Sequence, residues 1–113
     1  MRRARGTYGG SPILRIGGLA FNTETYDASR AGVTLALTKT GYILLRCLMR
    51  EAPNLVPREK LEQEVWGENR PDSDALRTHL HALRRAIDKP FAFPMLRTFP
   101  GLGYKLSATD ERP

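Results

Sequence analysis

The stretch Asp74-Ala75-Leu76-Arg77-Thr78-His79-Leu80-His81-Ala82-Leu83-Arg84-Arg85-Ala86-Ile87 decides how the rest of the chain is read. At about 100° per residue, Leu76, Leu80, Leu83 and Ile87 fall into one apolar stripe, the pattern of a helix held against a core. Arg77, His81, Arg84 and Arg85 cluster roughly a third of a turn away, on a separate face. One face anchors and the other presents charge. Asp72 and Ser73 each qualify as the N-cap of this helix. Beyond Lys89-Pro90, the pieces Leu96-Arg97-Thr98-Phe99 and Tyr104-Lys105-Leu106 flank Pro100-Gly101-Leu102-Gly103, which predicts a β-hairpin.

Working back towards the N-terminus, Arg58–Trp66 predicts a helix with Leu61 and Val65 on one side. Glu59, Glu62 and Glu64 stand in its first turns, where the helix dipole favours acids, and Gly67 stops it. The polar loop Glu68-Asn69-Arg70-Pro71 then leads to the basic helix. Upstream, Thr38 caps a helix over 39–52, with Tyr42, Leu45, Leu48 and Met49 on one face and Pro53 as the stop. Before it lie Ile13-Leu14-Arg15-Ile16, Leu19-Ala20-Phe21-Asn22, Thr25-Tyr26-Asp27-Ala28 and Val33-Thr34-Leu35, separated by turn-forming residues. They predict a small antiparallel sheet. Residues 13–107 therefore make one α+β domain, with a basic, glycine-rich flexible linker or chain end over 1–12 and a tail over 108–113. Sheet, three helices and hairpin follow the chain order of a winged helix-turn-helix.

At 113 residues and 41% apolar, the chain can bury one core and not two. Its 18 basic and 12 acidic side chains leave a net charge of +6, spread unevenly. Residues 1–50 hold eight basic and two acidic groups, 51–76 three and seven, and 77–105 six and one. The two basic ends favour a polyanionic partner. Cys47 is the only cysteine, no apolar run approaches a membrane span, and no secretory segment follows the N-terminal arginines. A soluble cytoplasmic protein is expected. His79 and His81 are two apart on a helix and face apart, so they make no metal pair, and His79 is expected to pack in the core. Gly101-Leu102-Gly103 lacks the helix and lysine of a phosphate loop. With no nucleophile, base and carboxylate in a catalytic arrangement, no enzyme activity, cofactor or metal is expected.

These residues together resemble the effector domains of OmpR/PhoB-type response regulators. The likeness rests on Leu37-Thr38, Arg58-Glu59 with Leu61, Val65-Trp66-Gly67, His79-Leu80, Leu83-Arg84-Arg85, and Thr98 with Gly101-Leu102-Gly103-Tyr104, in that order and spacing. It implies a four-stranded N-terminal sheet, a three-helix core and a C-terminal wing. It further implies sequence-specific duplex DNA binding at tandem half-sites, with the third helix in the major groove, the wing near the minor groove, and a receiver domain on the N-terminal side. The third helix would then present Arg77, Thr78, His81, Arg84 and Arg85, while Trp66, Arg97, Thr98 and Lys105 would serve the wing and backbone contacts. The loop bearing Glu68, Asn69, Arg70 and Asp72 would meet RNA polymerase.

The sequence also departs from that pattern. Gly41 replaces the usual glutamate of a capping box, Pro57 the usual cap of the second helix, and Pro100 the frequent wing arginine. His81 and Ala82 stand where relatives often carry arginine, so base preference does not transfer. The competing reading is a winged-helix module that binds protein or structured RNA. A small basic nuclease would need a base, an acid or a metal site that the sequence does not supply.

Overall fold

Short alternating segments at the N-terminus pair into a meander because each can cover the core with one face only. The computed structural model describes residues 12–69, 71, 74–91 and 94–108. Strands β1 (Ile13–Ile16), β2 (Leu19–Asn22), β3 (Ala28–Arg30) and β4 (Val33–Thr34) form an antiparallel sheet in that order, with Leu14 opposite Phe21 and Phe21 opposite Ala28. Leu19 and Phe21 are fully buried and their neighbours Ala20 and Asn22 are not, as the period of two requires.

The third strand starts later than its sequence suggests. Asn22 Oδ1 accepts from the N–H groups of Glu24 (2.8 Å) and Thr25 (3.0 Å), folding 23–25 into a turn, and Tyr26 follows at φ 64°. The asparagine side chain replaces a backbone ladder there. Pairing then runs Ser29 to Thr34 and Arg30 to Val33, so Leu35 lies outside the strand expected to contain it.

Helix α1 (Lys39–Glu51) is capped by Thr38, whose Oγ1 accepts from Gly41 N–H at 3.0 Å. Its burial exceeds a single stripe: Gly41, Leu44, Leu45, Cys47, Leu48 and Met49 are all buried, because α1 packs on the sheet, α2, α3 and the last strand. Burial also pushes the Cys47 thiol up, away from the reactive thiolate. Helix α2 (Arg58–Trp66) starts at Pro57 with no side-chain cap. Replacing Thr38 by alanine is expected to cost about 1 kcal/mol and lower the melting temperature by about 5 °C, read by thermal denaturation. No change would show that the Thr38–Gly41 bond contributes nothing.

Helix α3 (Asp74–Ile87) buries the predicted stripe: Leu76, Leu80, Leu83 and Ile87 are at most 2% exposed. The hairpin of β5 (Leu96–Phe99) and β6 (Gly103–Leu106) follows, its Leu96 and Leu106 facing each other in the core. Its second strand also pairs with the α1–α2 loop. Val56 N–H donates to the Tyr104 carbonyl (2.7 Å) and Tyr104 N–H to the Val56 carbonyl (2.9 Å), fixing the hairpin to the body of the domain.

Candidate nucleic-acid interface

With its apolar stripe buried, α3 turns Arg77, Thr78, His81 and Arg85 outward, all exposed. Between α3 and the hairpin runs a cleft of about 750 Å³ lined by Arg77, His81 and Arg84, by Thr98 and the turn beyond it, and by Arg58 and Glu59. Arg85 lies outside this cleft and joins Lys89 around the last turns of the helix. From residue 77 to 105 the one carboxylate is Asp88, and it is buried against Arg30 at 2.8 Å. Apart from Asp74 in the first turn of α3, the charge that α3 and the hairpin expose is therefore positive.

The acidic excess of 51–76 is partly neutralised elsewhere. Arg50 meets Glu64 (3.5 Å), Lys60 meets Glu51 (3.7 Å) and Arg58 meets Glu62 (3.5 Å), all on α1 and α2. Such partly exposed pairs add little stability.

Several residues singled out in the sequence sit differently from one another. Thr78 Oγ1 donates to the Asp74 carbonyl at 3.1 Å. Arg84 is half-buried and donates to Thr98 Oγ1 (2.6 Å) and to the Leu96 carbonyl (3.3 Å), so it is not the freely presented cation that helical periodicity suggested. Arg97 and Lys105 are directly opposite each other across the hairpin, on the face that alternates away from Thr98 and α3. Lys105 Nζ lies 5.0 Å from the Phe99 ring centroid. Trp66 is half-buried and packs its ring 5.9 Å from that of His79, which is itself half-buried, short of the core position expected of it. Glu68 and Asn69 are exposed in the α2–α3 loop, away from the cleft, whereas Arg70, Asp72 and Ser73 lie outside the described residues.

Sequence reasoning missed Arg58 as part of this surface. A cation in the first turn of a helix opposes the dipole, and that local conflict was the available signal. It also missed Leu102, which is 63% exposed at the hairpin tip. Among the described residues no three potential ligands converge as a metal site, and no helix is long and apolar enough to cross a membrane.

A basic helix on a three-helix core, beside a hairpin docked at its base, agrees with the family model described as "Transcriptional regulatory protein, C terminal", which matches residues 32–106. The chain belongs to this OmpR/PhoB-type family. Among relatives of this effector-domain family, the transcriptional regulatory protein CpxR of Escherichia coli (strain K12) is 38% identical over 97 residues, 84% of this chain and 42% of CpxR. The crystal structure of the DNA binding domain of CpxR from E. coli superposes with a TM-score of 0.73 at 37% identity, covering 88% of this chain and all of that one. The Klebsiella pneumoniae RstA DNA-binding domain, solved in complex with the RstA box, shares the fold at a TM-score of 0.75 and 18% identity, over 86% of this chain and 98% of its own. The effector domain is thus a winged helix-turn-helix, with α3 as its third helix and β5–β6 as its wing. The chain spans less than half the length of the curated relatives it matches.

Proposed function

We propose that this chain binds duplex DNA sequence-specifically and controls transcription, as the effector part of a cytoplasmic two-component response regulator. The observation that carries the reading is the positive charge that α3 exposes beyond its first turn, Arg77 and Arg85 with Lys89 past the helix end, on a helix that borders the hairpin across one cleft. At 1.5 Å per residue α3 is about 21 Å long, and the major groove accepts a helix of that kind. Arg77, Thr78, His81 and Arg85 face the bases and flanking phosphates, while Arg97, Lys105 and Trp66 hold the backbone. The relatives' names and the RstA complex support this assignment.

A receiver domain on the N-terminal side would pair two such modules on tandem half-sites, raising the effective concentration of the second. The α2–α3 loop, in which Glu68 and Asn69 are exposed, is then the segment that meets RNA polymerase. No base, nucleophile or metal is required of any residue in this role.

Selecting bound fragments from genomic DNA tests the reading and yields the site. On the selected duplex, Arg77→Ala and Arg85→Ala each weaken binding. Loss of a base contact costs about 1–3 kcal/mol and relaxes preference at one position, whereas loss of a phosphate contact weakens all duplexes and lowers the salt slope by about one. Unchanged affinity in both variants would exclude this face of α3.

A further inference from the structure

The last turns of α3 hold the root of the wing from two sides. Arg84 Nη2 donates to the Leu96 carbonyl and to Thr98 Oγ1. One helical turn further on, Asp88 accepts the Met95 N–H through Oδ1 (2.9 Å) and the Leu96 N–H through Oδ2 (3.0 Å). Leu96, the first residue of the wing, therefore has both its backbone groups bound by side chains four apart, Arg84 in the last turn of α3 and Asp88 just past its end. Arg77 and Arg85 carry the same charge on the same helix and are exposed; Arg84 is drawn in.

We propose that Arg84 is a positioning residue, which sets the angle between α3 and the wing through Leu96 and Thr98 instead of reading a base or phosphate itself. Its guanidinium presents donors in a fixed planar fork, so holding Leu96 and Thr98 together constrains direction as well as distance. Fixing that angle fixes the offset between the bases under α3 and the backbone under the wing. The inference rests on the duplex-DNA reading above, and its test separates the two.

Arg84→Ala, Thr98→Val and the double variant are compared with the unaltered chain. Thr98→Val keeps shape and net charge and removes only the acceptor. Both single variants are expected to weaken binding to the selected duplex by a similar factor, about tenfold, and the double variant by no more than either. Hydroxyl-radical protection should fade under the wing and persist under α3. In the absence of DNA, wing amides should exchange faster by the same factor in all three variants. A silent Thr98→Val, single effects that multiply in the double variant, or protection that fades evenly under both elements would overturn the proposal. If the unaltered chain does not prefer duplex DNA, the functional reading fails, and the exchange rates still decide whether Arg84 and Thr98 position the wing.

Discussion

Replacing Gly103 by alanine is expected to detach the wing and to cost the domain about 4 kcal/mol. Gly103 sits at φ 151°, and a Cβ there would stand 2.2 Å from the Val56 carbonyl oxygen and 2.9 Å from Pro57 Cα. The obstacle is loop backbone, so no side chain can rotate away. Relief requires β6 to leave the α1–α2 loop and break both Val56–Tyr104 hydrogen bonds, each worth about 1 kcal/mol, with backbone strain of about 1–3 kcal/mol added. Gly101 is the control. It has φ 78°, but nothing lies within 4 Å of where its Cβ would stand, so Gly101→Ala should cost only the conformational penalty of about 1–2 kcal/mol. Urea denaturation measures both, and equal midpoints for the two variants would show that the collision is relieved without cost.

The second large effect is expected at Asp88. Its carboxylate and Arg30 have side chains only 5% exposed, at 2.8 Å. Arg30 also donates to the Ile87 carbonyl at the end of α3 and lies 4.8 Å from the centroid of the Phe91 ring. Asp88→Ala would leave a buried guanidinium without its carboxylate, and the Met95 and Leu96 N–H groups without their acceptor. Breaking a buried pair from one side costs about 3–5 kcal/mol, most of it desolvation that is no longer compensated. Replacing both partners, as Arg30→Met with Asp88→Leu, removes that uncompensated charge, although the two N–H groups still lack an acceptor. The double variant should therefore recover part of the loss in a denaturant melt. A single Asp88→Ala variant within about 1 kcal/mol of the parent would show that the pair contributes little.

These two sites show where the sequence stops being readable. The stripe Leu76, Leu80, Leu83 and Ile87 is legible because helical period and burial are the same fact stated twice. The wing is legible from the glycines of its turn, and the Thr38 cap from a hydroxyl before an apolar run. Arg30 and Asp88 are 58 residues apart, and nothing local marks either as the other's partner. Arg84 illustrates the same limit within the site. Periodicity placed it on the basic face, but only the arrival of β5 beside α3 shows that it is used by Thr98. The turn after Asn22 runs further than its sequence suggests for a different reason: the Asn22 side chain competes with the ladder, and alternation of residue types does not register that competition. Base preference was illegible throughout, since exposed side chains such as His81 are not fixed by the core.

The surface shared by α3 and the wing is expected to read duplex DNA. The affinity of the chain, at matched salt, for the genomically selected duplex, a random duplex, the same selected DNA after heat denaturation, and a structured RNA decides this. The selected duplex should be preferred over the random one by about a hundredfold, below the ~10³ at which whole sites begin because a single module reads a single half-site. Log affinity should fall linearly with log salt. Equal binding to all four, or a preference for the structured RNA, would contradict duplex recognition.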